Sequence, residues 1–229
     1  MLGPSFPPLV LVLAILACRF SWLFDQGFLS NATVYMSASN PARFILASAS
    51  PRRKDILERM RAPFEIIPAE VEENELGDSD PEAMVRENAV LKAGWVAKRY
   101  PDRFVLGSDT TVHLDGRVLN KPVDMDDARS MLRKLSNRTH IVHTGVSLHC
   151  QSRQIEETIG VRSEVTFKEL SDETIERYFE IVNPLDKAGS YGIQKGTDLI
   201  IESFKGSYSN IMGLPFDETK AMLERYSLI

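Results

Sequence analysis

Two hydroxyl side chains and three cationic side chains crowd one short segment of the chain. Residues 48–54 read Ser-Ala-Ser-Pro-Arg-Arg-Lys, and Ser50 before Pro51 is typical of a helix N-cap with proline at the first helical position. A helix N-terminus presents free N–H groups and partial positive charge, and arginine grips phosphate oxygens in a bidentate fork. Cations in a first turn oppose the helix dipole, so the segment favours a bound anion. A capped helix with a solvated basic turn is the alternative.

An acidic side chain follows an apolar run at residues 104–106. The next residues, 107–111, read Gly-Ser-Asp-Thr-Thr, which places Asp109 where α/β proteins commonly build their sites. A carboxylate there can hold a divalent cation or take a proton from water. The alternative is an aspartate that accepts hydrogen bonds in a turn, so this signal alone is weak.

Two further segments have the composition of ligand-binding loops. Pro122 biases Lys121 towards an extended backbone, and lysine is a compact charge suited to phosphate, although an exposed loop lysine is the alternative. Residues 186–194 read Asp-Lys-Ala-Gly-Ser-Tyr-Gly-Ile-Gln. Their glycines allow close backbone approach to a ligand, and the Gln194 amide offers an acceptor and donors for a base edge.

Other kinds of chemistry find little support. The chain has 229 residues and a formal net charge of −5, which argues against non-specific nucleic-acid binding. Cys18 and Cys150 belong to no metal-binding pattern. His140 and His143 are an odd number of residues apart on a predicted strand, so they face opposite sides of a sheet.

Alternating strand and helix patterns predict the elements that position these segments. Strands are predicted near residues 44–47, 64–67, 104–114, 118–119, 140–150, 156–168 and 199–201, and helices near 51–60, 81–100, 126–135, 171–183 and 217–225. Met84, Leu91 and Trp95 are predicted to mark the buried face of the second helix. Mixed strands and helices with long antiparallel hairpins indicate an α/β sheet without regular double winding.

The amino terminus has a different composition. Residues 9–18 form an apolar run that Arg19 ends, shorter than the ~20 residues that span a bilayer. A signal peptide usually has a lysine or arginine before its apolar run, and none precedes this one. Three interpretations of this segment stay open: an export signal or anchor, an organelle-targeting segment, and an upstream extension with the natural start at Met36. We expect residues 1–40 to lie outside the fold and residues 41–229 to form the domain.

Taken together, the segments resemble the Maf-type nucleotide pyrophosphatases over about residues 43–225. The matching segments, in order, are residues 48–53, 107–110, 121–122, 139–140, 186–194, 206–210 and 213–215. The resemblance implies the fold of the inosine-triphosphate pyrophosphatases: an elongated, curved mixed β-sheet with flanking helices and a central cleft between two lobes. It also implies a homodimer, and hydrolysis of a nucleoside triphosphate to the monophosphate and pyrophosphate with a divalent cation, Mg²⁺ or Mn²⁺.

The same resemblance implies roles for particular residues. Asp109 matches the catalytic base, and with Glu73 it supplies carboxylates for the metal. Residues linked to substrate choice are Arg52, Thr110 and Gln194, and further site positions are Ser48, Arg53, Lys92 and Lys121. One departure is Asn137, where the family usually has glycine; asparagine tolerates the left-handed backbone angles that such a turn needs.

The loop at residues 191–194, Tyr-Gly-Ile-Gln, is similar to the branch of the family that acts on dTTP and UTP. We therefore expect a dTTP/UTP pyrophosphatase with a house-cleaning role. The alternatives are the branch that prefers 7-methyl-GTP and a nucleotide-binding regulator of septum formation without important catalysis. We expect no nucleic-acid partner, no stable membrane span and a cytoplasmic location, although the apolar run leaves export or anchoring open.

Overall fold

The computed structural model describes residues 33–34, 43–74 and 80–229. The apolar run at 9–18 and the alternative start at Met36 lie outside the described residues. Within the predicted extension, Thr33–Val34 form a short strand that pairs with the sheet. The division of the chain at residue 40 therefore stays a prediction.

The described strands form one mixed sheet. They are β1 (Thr33–Val34), β2 (Phe44–Leu46), β3 (Phe64–Ile66), β4 (Phe104–Leu114), β5 (Arg117–Leu119), β6 (Thr139–Cys150), β7 (Ile155–Phe167) and β8 (Ile201–Lys205). Their order is β1-β3-β2-β4-β6-β7-β8, and β5 pairs with β4. Strand β2 runs parallel to both neighbours, and the other pairs are antiparallel. The predicted α/β fold with a mixed sheet is confirmed.

Helices flank this sheet. They are α1 (Pro51–Arg59), α2 (Pro81–Ala97), α3 (Met125–Leu135), α4 (Asp172–Ile181), α5 (Thr197–Ile200), α6 (Tyr208–Met212) and α7 (Phe216–Arg225). The predicted strand at residues 199–201 begins only at Ile201 and continues to Lys205 as β8, because Thr197–Ile200 form a helical turn after the left-handed Gly196. A short apolar run fits a buried helical turn as well as a strand, and periodicity does not separate them.

Two turns have the backbone that their sequences predict. Asp115 and Gly116 both have positive φ, 50° and 77°, between β4 and β5. This is the pattern of a two-residue hairpin whose twist matches the strands. Asn137 has a φ of 56°, and its N–H donates to the Lys168 carbonyl at 2.9 Å. Asn137 thus adopts the left-handed backbone that the resemblance led us to expect at this turn.

Helix α2 lies with its backbone directly against the sheet. A Cβ atom added to Gly107 of β4 would lie 2.3 Å from the Ala89 carbonyl oxygen, and one added to Gly145 of β6 would lie 2.2 Å from that of Val85. Both distances are shorter than any normal contact, so only glycine fits at these two positions. The close approach brings the sheet-facing side chains of α2 next to the middle of β4.

The same contact corrects the predicted buried face of α2. Met84 is buried as expected, but Leu91 is 43% exposed and Trp95 is half-buried. The Arg99 guanidinium lies over the Trp95 ring, 3.4 Å from its centre. Because the backbone touches the sheet, the inward face accepts small residues such as alanine, and the bulkier side chains turn away. Within the described ranges, no helix has the length and apolar character to cross a membrane.

Candidate active site

One cavity of about 410 Å³ brings the predicted segments together. Pockets for small-molecule ligands commonly measure about 300–1,000 Å³, so its size suits a nucleotide. Every residue proposed from the sequence lines it: Ser48, Arg52, Arg53, Glu73, Lys92, Asp109, Thr110, Lys121 and Gln194. The cations at the start of α1 and the acid on β4 therefore share one space.

The start of α1 is open towards this cavity. Ser50 occupies the N-cap position and Pro51 the first helical position, as predicted, but the Ser50 side chain makes no capping hydrogen bond. The Ser50 N–H instead donates to the Ser48 hydroxyl at 3.3 Å. The first turn of a helix leaves N–H groups without intrahelical partners, and here it holds no acidic residue. This helix start can accept an anion.

Arg53 supports the cavity wall from inside the protein. It is buried, and its Nε donates to the Gly213 carbonyl at 2.8 Å. Its Nη1 donates to the Ser48 hydroxyl at 2.9 Å and its Nη2 to the Thr110 hydroxyl at 3.2 Å. Burial lowers the pKa of Arg53, against the opposing charge of Asp109. Three of its donors are thus used within the protein, and its main effect on a ligand is through charge.

Thr110 belongs to the same network. Its hydroxyl lies 3.0 Å from that of Thr144, and it donates to the Gly213 carbonyl at 3.4 Å. The Ser108 hydroxyl donates to the same carbonyl at 3.2 Å. The loop after α6 is therefore fastened to β4 by several polar contacts, in which the Thr110 hydroxyl takes part.

Arg52 reaches across the cavity to the loop after α4. Its Nη1 lies 3.1 Å from an Asp186 carboxylate oxygen, and its Nη2 donates to the Asp186 carbonyl at 3.4 Å. Lys187 lies 2.5 Å from the other oxygen. Partial burial opposes ionisation, but the hydrogen bond and charge of Lys187 and the charge of Arg52 outweigh it and lower the pKa of Asp186. A role for Asp186 follows only from this contact with Arg52, which is 134 residues away along the chain.

Asp109 and Glu73 face one ammonium group. The Lys92 Nζ lies 2.8 Å from an Asp109 oxygen and 2.7 Å from a Glu73 oxygen. Burial of Asp109 favours its neutral form, but the charges of Lys92 and Arg53 and hydrogen bonds from Lys92 and Asn88 outweigh it, so its pKa is lowered. Asp109 is therefore a carboxylate at neutral pH. It can accept hydrogen bonds from water or bind a cation.

The carboxylates of Asp109 and Glu73 also suit a divalent metal. Both contact the Lys92 ammonium, which places them in the same part of the cavity, and Mg²⁺ prefers oxygen ligands. It commonly binds through one or two carboxylates together with waters and substrate phosphates. Among the described residues no three or more His, Cys, Asp or Glu side chains are grouped for a metal, so waters and substrate phosphates would supply the remaining ligands.

Aromatic side chains hold the loop that carries Gln194. The Tyr191 hydroxyl lies 2.7 Å from Nε2 of His140. The Tyr178 hydroxyl accepts from the Gly192 N–H at 2.9 Å, and the Tyr208 hydroxyl donates to the Ile193 carbonyl at 3.0 Å. Gln194 itself is exposed at the cavity, as is Lys121. A loop held by these hydrogen bonds thus presents one exposed amide at the cavity.

Asn88 is a site residue that the sequence analysis missed. It is 2% exposed on α2, and its amide donates to Asp109 at 3.0 Å. It stands one helical turn before Lys92, so both contact the same carboxylate. That spacing was a usable signal once Lys92 was placed at the site.

Comparisons with known proteins agree with this geometry. A family model described as Maf-like protein matches residues 43–226. A Bacillus cytotoxicus protein named dTTP/UTP pyrophosphatase is 43% identical over 184 residues, 80% of this chain and 95% of the relative. A Bacillus cereus protein of the same name is 42% identical over 186 residues, 81% of this chain and 96% of its own length. The solved structure of the Staphylococcus aureus Ham1 protein covers 80% of this chain and 98% of its own at 15% identity, with a TM-score of 0.47, and adds nothing to the assignment.

Proposed function

The chain belongs to the Maf family, and from this premise we propose that it hydrolyses dTTP and UTP to the monophosphate and pyrophosphate. Relatives named for that activity match about four fifths of the chain. The observation that carries the proposal is the shared cavity, in which an open helix start with Arg52 faces the ionised Asp109. Hydrolysis of a polyanion needs cationic groups for the phosphates and an ionised acid for the attacking water, and this cavity holds both.

The triphosphate would lie between the start of α1 and Lys121. The N–H groups of the first turn would bind phosphate oxygens, and Arg52 would exchange the Asp186 carboxylate for a phosphate. Lys121, which also lines the cavity, would neutralise further charge. Arg53 would add positive charge from behind the wall without leaving its protein partners.

Asp109 would orient the attacking water and receive its proton. Its lowered pKa keeps it ionised, so it accepts a hydrogen bond from water at neutral pH. The water would attack the α-phosphorus and pyrophosphate would leave, its growing charge balanced by Arg52 and Lys121. Glu73 and Asp109 would hold Mg²⁺ or Mn²⁺, which would supply charge neutralisation at the phosphates. Positioning and charge stabilisation, rather than covalent chemistry, would provide most of the acceleration.

Gln194 would read the pyrimidine edge. It is exposed at the cavity on a loop held by three tyrosines. Its backbone is therefore held in place, while its exposed side chain can contact a base. The Thr110 hydroxyl, which bonds to Thr144 and Arg53, would act on substrate choice by shaping the wall.

The test is pyrophosphate release by the purified full chain with Mg²⁺. The panel contains dTTP, UTP, the remaining canonical triphosphates, modified pyrimidine triphosphates and 7-methyl-GTP. Rapid release from dTTP and UTP supports the proposal. Release from 7-methyl-GTP alone would favour the sister branch, and nucleotide binding without release would favour a regulator of septum formation.

The matched control is Asp109→Asn, which keeps the side-chain shape and removes the charge. It should lose about 100-fold or more in turnover and still bind dTTP. Turnover close to that of the wild type would remove Asp109 from the mechanism.

The homodimer, the cytoplasmic location and the extension outside the fold rest on the sequence alone, and sequencing of the mature amino terminus tests the last of these.

A further inference from the structure

Asn88 links the two parts of the cavity that carry its carboxylates. Its Oδ1 accepts from the Asn74 N–H at 2.8 Å, and its Nδ2 donates to the Asn74 carbonyl at 3.0 Å. The same Nδ2 donates to Oδ2 of Asp109 at 3.0 Å. Asn74 follows Glu73 directly. One buried amide therefore contacts both Asp109 on β4 and the segment that carries Glu73.

The orientation of this amide is fixed by its partners. A backbone N–H can only donate, so the Asn88 oxygen must face the Asn74 N–H. The NH₂ group must then face the Asn74 carbonyl and Asp109, both of which are acceptors. Both N–H donors and one acceptor site of the amide are thus used. No other orientation satisfies these contacts.

Asp109 is consequently held at both oxygens from one helix. Lys92 contacts Oδ1 at 2.8 Å and Asn88 contacts Oδ2 at 3.0 Å, and these two residues lie one turn apart on α2. Lys92 also contacts Glu73, while Asn88 holds the backbone of Asn74. The two helix residues therefore fix the Asp109 carboxylate and its distance from Glu73 at the same time.

We propose that Asn88 is a positioning residue that fixes the Asp109 carboxylate and ties it to the Glu73 segment. A merely structural role for Asn88 would need only its two bonds to the Asn74 backbone. The bond to Asp109 goes beyond that need and is directed at the oxygen that Lys92 does not hold. The part of the proposal that concerns turnover rests on the proposed function, whereas the link to Asn74 does not.

The kinetic test compares Asn88→Ala with the wild-type chain. We expect kcat on dTTP to fall about 10- to 100-fold, the loss typical of a removed supporting hydrogen bond at a catalytic group. KM should change less than kcat, because the hydrogen bonds of Asn88 go to Asn74 and Asp109 and not to Arg52, Lys121 or the start of α1. In the Asp109→Asn background the same substitution should cost little more, since the carboxylate that Asn88 positions is already gone. Full additivity of the two losses, or an unchanged kcat, would overturn the proposal.

Ser147→Ala is the matched control. Ser147 is fully buried and hydrogen-bonds to Thr158 at 2.7 Å and His149 at 2.9 Å, but it does not line the cavity. It should lower stability and leave kcat unchanged. Asn88→Ser, whose hydroxyl is too short to reach both partners, serves if the alanine variant does not fold, with the same expected losses.

A second measurement needs neither metal nor substrate. Hydrogen exchange at the Asn74 amide should become about tenfold faster or more in Asn88→Ala and stay unchanged in Ser147→Ala, because only the first removes its acceptor. Unchanged exchange would refute the link. If the wild-type chain releases no pyrophosphate, the proposed function fails, but the exchange result still decides whether Asn88 holds this segment.

Discussion

His140 couples the stability of the fold to pH. It is 1% exposed, with the rings of Phe167 and Tyr191 edge-on at centroid distances of 5.0 and 5.2 Å. Its Nε2 meets the Tyr191 hydroxyl, while Nδ1 has no hydrogen-bond partner among the described residues. Burial lowers the pKa of His140 from 6.5 to about 3. The imidazole is therefore neutral in the folded protein at any pH at which the enzyme is assayed.

The direction of the pH effect follows from this lowered pKa. Near pH 7.5 the residue is neutral in both the folded and the unfolded chain. As the pH falls below 6.5, the unfolded chain binds a proton that the folded chain does not, so the free energy of unfolding falls until the pH nears 3. At about 1.4 kcal/mol per pH unit, this linkage costs the fold about 2 kcal/mol between pH 7.5 and pH 5.

Urea unfolding of the wild type and His140→Gln at those two pH values measures the effect. Glutamine does not titrate, but it loses the ring packing, so the variant should be less stable at pH 7.5. The advantage of the wild type should shrink by about 2 kcal/mol at pH 5. The lowered pKa values of His143 and His149 cancel, because both residues are present in each protein. An equal advantage at both pH values would refute the reasoning.

Three further predictions concern packing and specificity. Gly145→Ala should destabilise the protein by about 1–3 kcal/mol, because the added Cβ would meet the backbone of α2 at 2.2 Å. Gly94→Ala, whose added Cβ has its nearest contact at 3.7 Å, should stabilise it by about 0.5–1 kcal/mol. Equal changes in the free energy of unfolding, measured by urea titration, would contradict this. Asp186→Asn should tighten dTTP binding about two- to fivefold in calorimetry, because Arg52 no longer has a competing carboxylate; weaker binding would show that the aspartate instead orients the arginine. Gln194→Ala should lower the preference for UTP over purine triphosphates about tenfold with a smaller change in kcat; an unchanged preference would exclude base reading by this side chain.

Much of the fold could be predicted because its signals are local. Ser50-Pro51 marks a helix start, Asp115-Gly116 a hairpin and Asn137 a left-handed turn, and each depends on a few neighbouring residues. The grouping of the site segments followed from the resemblance to the Maf-type pyrophosphatases. The strand-end argument for Asp109 was wrong, because Asp109 lies inside β4 (Phe104–Leu114).

What the sequence did not predict depends on contacts between distant segments. The exposure of Leu91 follows from the closeness of α2 to the sheet, which glycines on two other strands set. The roles of Asn88 and Asp186 depend on partners 21 and 134 residues away along the chain. The partner of Arg53, the carbonyl of Gly213, is 160 residues away along the chain. The run of cations at residues 52–54 therefore did not reveal which of these side chains is buried.

The bare contact between α2 and the sheet has a genetic consequence. The helix that carries Asn88 and Lys92 has a single allowed depth, set where Gly107 and Gly145 leave no room for a methyl group. A mutation at either glycine would shift both polar side chains together, although neither glycine meets a ligand. A random-mutagenesis screen for inactive clones should therefore recover these two codons alongside those of the charged residues. Conservation of the two glycines would then reflect the placement of Asn88 and Lys92 and not contact with a ligand.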